Sequence, residues 1–207
     1  MSIGARWAFP FAVLGAGAVL LLTLLGAAGF PGYSHESQFI SELGTRGAPH
    51  ERWVRFAGFL PAGIFVILFA AAAFDGLPRS RLTSAGLLGL VVYALGYVAA
   101  AFFPCDAGCR PAQPSVSQAI HNAVGLAGYA LAPLFMYALG WQARRWPGAT
   151  YLAALGFVAA ALVLVGLLTL SPKSPFAGIS QRVIEVAVLS WVLLCGVYLR
   201  SRASPAA

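Results

Sequence analysis

The sequence has 207 residues, of which 60% are hydrophobic and only 9% are charged, and its formal net charge is +7. Together with a mean hydropathy of +0.82, this composition excludes a soluble domain and indicates an integral membrane protein. The arginines lie in loops near the ends of apolar segments, not in basic runs interleaved with aromatic residues. Nucleic acid is therefore not an expected partner.

Six apolar segments are long enough to cross a hydrocarbon core about 30 Å thick, which takes roughly 20 helical residues. They predict an all-α, polytopic helical bundle that forms a single transmembrane domain over residues 1–207. The first segment exceeds the apolar core of about 7–15 residues that signal peptides carry, so we expect an uncleaved span. The third places Tyr93 and Tyr97 on one helix face. The predicted spans are residues 7–30, 53–74, 85–103, 119–141, 151–170 and 183–199.

The positive residues give a weak indication of the orientation. With six spans, the termini and loops two and four share one side, and loops one, three and five share the other. The first side carries Arg6, Arg79, Arg81, Arg144, Arg145, Arg200 and Arg202, and the second Arg46, Arg52, Arg55, Arg110, Lys173 and Arg182. Short loops rich in arginine are typical of cytoplasmic connectors. We therefore predict a multi-pass protein of the inner (plasma) membrane with both termini in the cytoplasm.

The first loop contains the only long polar segment of the chain, YSHESQFISELGTRGAPH from Tyr33 to His50. Ser34 is a suitable N-cap and Gly44 a suitable end for a short helix over residues 35–43. On such a helix, one face is polar and the neighbouring face is apolar. This pattern predicts a re-entrant or interfacial helix over the bundle mouth, and the alternative is an interfacial helix whose polar face is merely hydrated. The polar face would carry His35, Gln38 and Glu42.

The polar residues are concentrated on one side of the predicted topology, in or beside loops one, three and five. This asymmetry predicts a polar site at the outward mouth of the bundle, although outward loops need some polar residues in any case. The groups concerned are His35, His50, His121, Asp106, Glu36, Glu42, Glu51, Glu185, Cys105 and Cys109.

Cys105 and Cys109 flank Asp106 in the motif PCDAGC after the third span. On an oxidising face of the membrane, two cysteines this close can form a disulfide if their Cα atoms come within about 7 Å. Zinc bound by these thiols alone is not expected, because a second cysteine pair is missing. Cys195 lies alone in the sixth span and is expected to pack as a small apolar residue.

Histidines and carboxylates on neighbouring loops leave two chemical interpretations open. His35, Asp106 and His121 could bind a divalent metal such as zinc, with water completing the coordination shell. Alternatively, these groups and Glu42 could act as general acid and base. Each histidine has the simpler alternative of being a hydrogen-bonded interfacial residue.

Arg182 and Glu185 are three residues apart at the predicted start of the sixth span. We expect them to form an ion pair, because an unpaired charge at that depth is costly. The interiors of the predicted spans otherwise carry no charge. This disfavours transport through a chain of ionisable residues, which normally lie near the midplane.

Four motifs resemble one known family: YSHESQFISELG, FPCDAGC, SQAIHNAVG and GISQR. This is the uncharacterised prokaryotic membrane-protein family catalogued as domain of unknown function 998. The resemblance covers essentially the whole chain and implies a compact multi-span helical protein without an established reaction or ligand. A more distant likeness is to Frag1-type lipid-remodelling membrane proteins. The matching motif positions are Ser34, His35, Ser41, Glu42, Gly44, Asp106, His121 and Arg182.

The leading functional hypothesis is a polar site at the outward mouth that binds or acts on a lipid-derived or small polar ligand. Asp106 and His121 would be its central pair, with His35 and Glu42 supplied by the first loop. Arg182 would be available for an anionic head group. The other expected ligand contacts are Ser34, Ser41 and Glu185.

The alternative hypothesis is a non-catalytic membrane scaffold or assembly partner whose outward loops form an interaction surface. Alanine substitution at His121 would distinguish the two, since an enzyme loses activity while it stays folded. Whether the protein is an enzyme is left open. Membrane lipids are expected partners, and a homodimer or another membrane protein is a further alternative.

Overall fold

The structure, a computed structural model, describes residues 4–203. The described secondary structure is entirely helical, and six helices are long and apolar enough to cross a membrane. The predicted all-α class and the number of spans are therefore confirmed. The helices are α1 (Ala8–Ala28, after a 3-10 turn at Gly4–Trp7), α2 (Glu51–Gly76), α3 (Arg81–Phe102), α4 (Val116–Ala143), α5 (Thr150–Thr169) and α6 (Ala177–Ala203).

The helices form a closed ring in which each packs against its neighbour in sequence and α6 packs back against α1. Trp191 of α6 is fully buried, and its indole Nε1 donates a hydrogen bond to the carbonyl of Leu152 in α5 at 3.2 Å. Many exposed side chains on the outer surface, such as Leu88 and Leu168, are apolar. An apolar outer surface suits contact with lipid tails. Lipid offers no hydrogen-bond partners, and helices satisfy their own backbone hydrogen bonds.

Glycines allow the closest helix contacts within the ring. A Cβ atom added at Gly156 of α5 would lie only 2.6 Å from the Cα atom of Gly140 in α4. In α3, a Cβ atom at Gly89 would lie 2.7 Å from the Cβ atom of Phe135 in α4. Small residues at these positions are therefore used for packing inside the bundle, as is typical of membrane helices.

Five of the six helices begin before their predicted spans, and the starts of α4 and α6 bear on the polar residues. Helix α4 begins at Val116, where the Ser115 hydroxyl accepts a hydrogen bond from the Gln118 amide at 3.1 Å. Helix α6 begins at Ala177, six residues before the predicted start at Val183. Glu185 is consequently the ninth residue of α6 and lies roughly 12 Å along it, at 1.5 Å per residue.

The predicted helix over residues 35–43 forms only in part. The chain makes turns after Ser34, and only Ile40–Gly44 is helical, as a short 3-10 segment. Side chains accept hydrogen bonds from backbone amides here. The Ser34 amide donates to Gln38 Oε1 at 2.8 Å, and the Phe39 amide donates to Glu42 Oε1 at 3.0 Å. Local side-chain bonds of this kind compete with a regular helix. The segment is a packed loop with one short helix, so the predicted helix is present only over Ile40–Gly44.

Candidate functional site

The first loop packs over one end of the bundle. We call this end the polar end, and it comprises residues 33–50, 104–115 and 170–177. The Ile40 amide donates to Gln181 Oε1 of α6 at 2.7 Å. The Thr45 hydroxyl donates to the carbonyl of Cys105 at 2.7 Å, in the loop between α3 and α4. These contacts join loop one to α6 and to the loop between α3 and α4.

Asp106 stabilises the loop before α4. Its carboxylate accepts hydrogen bonds from the Ser115 amide at 2.9 Å and from the Ser115 hydroxyl at 2.7 Å. These bonds hold the pKa of the Asp106 carboxyl below its usual value. Its amide donates to Gln118 Oε1 at 2.8 Å. The contacts of Asp106 are therefore with the start of α4, and the structure does not pair it with His121.

The two loop cysteines are placed as a disulfide requires. The Cα atoms of Cys105 and Cys109 are 5.0 Å apart, with their sulfur atoms at bonding distance. The Ser41 hydroxyl lies 3.4 Å from the Cys109 sulfur, so loop one contacts the disulfide directly. Cys195 is a buried free cysteine, as its position in an apolar span predicts.

The three residues expected to bind a metal have separate surroundings. His121 Nδ1 lies 3.0 Å from the carbonyl of Phe103, and His35 Nδ1 lies 3.0 Å from an amino group of Arg182. Asp106 is bonded to Ser115. Within residues 4–203 no three histidine, cysteine or acidic side chains converge as a metal site requires. The side chains present therefore do not fit the expected divalent ion.

Glu42 holds the first loop together. Its side chain is only 4% exposed, and its Oε2 accepts a hydrogen bond from Gln38 Nε2 at 2.9 Å. Arg110 Nη2 lies 3.9 Å from Glu42 Oε1 and donates to the carbonyl of Ser37 at 2.7 Å. The Ser34 hydroxyl accepts the Ser37 amide at 3.3 Å, which closes the turn. The contacts of Glu42 and Ser34 are thus contacts within the loop or with Arg110.

The expected ion pair between Arg182 and Glu185 does not form, whereas Arg110 and Glu42 do form a salt bridge. Arg182 instead donates to neutral acceptors in loop one and in its own helix. Its Nε is buried and has no hydrogen-bond partner among residues 4–203. The acceptors are the Tyr33 hydroxyl at 2.8 Å, His35 Nδ1 at 3.0 Å, and the carbonyls of Gln38 at 3.0 Å and Gly178 at 2.9 Å.

His35 must be neutral at Nδ1 to accept a hydrogen bond from Arg182, because a guanidinium group only donates. Burial and the neighbouring positive charge of Arg182 both lower the pKa of His35 below its usual value. The imidazole edge also packs against the ring of Tyr33, with 5.3 Å between the ring centroids. His35 and Tyr33 together therefore place the guanidinium group without neutralising it.

Glu185 lies among three tyrosines that the sequence analysis did not connect to it. Tyr93 and Tyr97 of α3 donate short hydrogen bonds to Glu185 Oε2, and Tyr129 of α4 donates to Oε1 at 2.5 Å. Gln181 Nε2 donates to the Tyr129 hydroxyl at 2.9 Å. The shared face of Tyr93 and Tyr97 was visible in the sequence. No local pattern connected that face to Glu185, about 90 residues further along the chain.

A small cavity of about 80 Å³ adjoins this cluster. His121 contributes to its lining, and its Nδ1 must carry the proton because the Phe103 carbonyl only accepts. In neutral His121, Nε2 is consequently an acceptor. The lining also includes Ile40, Ser41, Phe59, Tyr93, Tyr97, Tyr129 and Glu185.

A larger groove of about 650 Å³ runs along the outside of the bundle between α1 and α6. Its walls are mainly apolar, with Arg182, His35 and Glu185 near the polar end. Ile40 and Glu185 line both the groove and the small cavity, so the two spaces adjoin. The apolar wall residues include Val13, Leu20, Leu24, Val186, Leu189 and Leu193.

Comparison with known protein families gives a match over most of the chain. The family described as "Protein of unknown function (DUF998)" matches residues 13–198, a range that includes α2 to α5 entirely and most of α1 and α6. No curated protein and no solved structure matches the chain. The likeness to Frag1-type proteins therefore stays a prediction from the sequence.

Proposed function

The chain belongs to the DUF998 family, and we propose that it binds a membrane phospholipid, with the phosphate at Arg182 and an acyl chain in the groove between α1 and α6. The observation that carries this proposal is the charge of Arg182. Its guanidinium group lines an apolar groove, and each of its hydrogen-bond acceptors among the described residues is neutral.

The groove suits an acyl chain in size and chemistry. Ligand sites usually enclose about 300–1,000 Å³, and this one encloses about 650 Å³. Thr23 is one of its polar lining residues, but the Thr23 hydroxyl already donates to the carbonyl of Val19 at 2.7 Å. Because the groove faces the surface that lipid tails cover, a hydrocarbon chain can enter from the side.

Arg182 supplies a positive charge near the polar end of the groove. An arginine is ionised under all ordinary conditions, and an uncompensated charge at membrane depth is costly. A phosphate would neutralise this charge and accept a charge-assisted hydrogen bond from the guanidinium group, whose four Nη–H donors already bond to the protein. The unpartnered Nε–H of Arg182 is one donor available for such a contact.

The proposal places the polar end on the outward side of the inner membrane, with both termini in the cytoplasm. The cysteine pair at this end supports that orientation, because disulfides persist on oxidising faces. Lys173, the only lysine of the chain, lies at the same end and offers a test. A membrane-impermeant amine reagent should label Lys173 in intact spheroplasts. Labelling of Lys173 only after lysis would show the opposite orientation.

Lipid binding can be measured by native mass spectrometry of detergent-purified protein with dioleoyl phosphatidic acid and dioleoylglycerol. Wild type should prefer the phosphatidic acid. Arg182→Ala should bind it about tenfold or more weakly, since a hydrogen bond to a charged group contributes about 1.5–3 kcal/mol. Arg200→Ala, which removes a guanidinium group near the other end of the same helix, is the matched control and should bind as wild type does.

A second variant tests the groove without touching Arg182. A Cβ atom at Gly17 would meet nothing within 4 Å, so Gly17→Phe should fold and fill the groove. It should weaken binding of both lipids, while thermal unfolding in detergent stays near that of wild type. Unchanged phosphatidic acid binding in both Arg182→Ala and Gly17→Phe would refute the proposal.

A further inference from the structure

We infer that the bound phospholipid is zwitterionic, and that Glu185 with its surrounding tyrosines holds the ammonium group of the lipid head group. This inference rests on the proposed function and adds the second charge of the ligand. It assigns a binding role to the Glu185 carboxylate, for which residues 4–203 show no salt bridge.

Glu185 offers a buried carboxyl group with room for one more contact. Its side chain is 5% exposed, and three tyrosine hydroxyl groups donate to it. An ionised carboxylate has about four acceptor positions, so roughly one position is left. It is on Oε1, which has one tyrosine donor, whereas Oε2 has two. A buried carboxylate without a cation is costly, and an ammonium group would both neutralise it and donate to Oε1.

The surroundings of Glu185 favour an organic cation. Four aromatic residues line the cavity, with 5.6 Å between the ring centroids of Tyr93 and Tyr97 and 6.1 Å between those of Tyr93 and Tyr129. The centroid of Phe59 lies 6.5 Å from that of Tyr97. Aromatic faces attract ammonium groups, most strongly where water is excluded. A cavity of about 80 Å³ fits a head-group ammonium and is too small for an acyl chain.

Arg182 and Glu185 lie close enough along α6 for one head group to reach both. Residues three apart on a helix have their Cβ atoms about 5–6 Å from each other. Arg182 and Glu185 are so spaced, and both line the groove without pairing with one another. A phosphate and an ammonium joined by a two-carbon bridge carry opposite charges over a similar span. Phosphatidylethanolamine therefore satisfies both residues, because its ammonium group can donate to Glu185, whereas phosphatidylglycerol satisfies only Arg182.

The experiment compares dioleoyl phosphatidylethanolamine with dioleoyl phosphatidylglycerol, again by native mass spectrometry. Wild type should bind phosphatidylethanolamine about tenfold more tightly, the effect of one charged hydrogen bond. Glu185→Gln keeps the shape of the side chain and removes its charge, so it should lose this preference while phosphatidylglycerol binding is retained. Glu42→Gln changes a buried carboxylate that lines neither the groove nor the cavity, and should keep the preference.

The outcomes separate this inference from the proposed function. Equal binding of the two lipids by wild type would refute the inference, as would an equal loss of both lipids in Glu185→Gln. In either case, weaker phosphatidylglycerol binding by Arg182→Ala would leave the proposed function standing. Phosphatidylglycerol binding that is insensitive to Arg182→Ala would refute the proposed function itself.

Discussion

Substitution of Tyr129 by phenylalanine gives the sharpest test of the polar cluster inside the bundle. The Tyr129 hydroxyl is the only described donor to Glu185 Oε1, and it also accepts from Gln181 Nε2. Its loss therefore leaves two polar groups without their partner. By contrast, Tyr93 and Tyr97 both donate to Oε2, so removing either hydroxyl leaves the other in place.

The expected magnitudes follow from these partners. A hydrogen bond to a charged group contributes about 1.5–3 kcal/mol, and interhelical bonds in membranes average about 0.6 kcal/mol. Tyr129→Phe should thus lower the free energy of unfolding by about 2–3 kcal/mol. Tyr93→Phe and Tyr97→Phe should each lower it by about 1 kcal/mol, because Oε2 keeps one donor.

The assay is reversible unfolding in mixed micelles, followed by circular dichroism as the fraction of denaturing detergent increases. Tyr137→Phe is the matched control, since Tyr137 lies in the same helix and is 53% exposed. It should change stability by less than about 0.5 kcal/mol. Equal losses in the three cluster variants would refute the reasoning, as would a Tyr129→Phe protein as stable as the control.

Three further predictions concern packing, the disulfide and pH. Gly156→Ala should cost about 1–3 kcal/mol in the same assay, because the new Cβ atom would lie 2.6 Å from the Cα atom of Gly140. Gly125→Ala, with nothing within 4 Å, should be neutral or stabilising; similar losses in both would contradict the packing argument. Denatured, unreduced protein should react with a thiol reagent once, at Cys195, and three times after reduction; three reactions without reduction would exclude the disulfide. The pKa of His35 is lowered on folding from its usual 6.5, so the unfolded chain takes up the proton first and stability should fall as pH decreases through about 6.5. His35→Gln should flatten this slope between pH 7.5 and 5, and an unchanged slope would show that other groups cause it.

The first loop shows where local sequence rules failed. Ser34 and Gly44 are acceptable helix ends, and the polar and apolar residues between them are spaced as on an amphipathic helix. The chain forms a loop instead, because Gln38 and Glu42 accept backbone N–H groups and Ile40 donates to Gln181 of α6. The bond to Gln181 spans 141 residues of sequence, so no local pattern could indicate it.

The charged pair at the start of α6 shows the same limit in the candidate site. Arg182 and Glu185 have the spacing of an ion pair, and the sequence offered no reason to separate them. Tertiary packing separates them because α3 and α4 bring three hydroxyl donors to Glu185, while loop one surrounds Arg182 with neutral acceptors. Both charges thereby face a common groove.

The sequence by itself determined the helical class, the six spans and the end of the bundle where polar residues gather. Long apolar runs permit only helices in lipid, where each backbone group must find a partner within its own segment. The tertiary structure alone decided which polar groups meet. Side-chain partners such as Tyr93 and Glu185, 92 residues apart, depend on the closure of the ring and not on any local period.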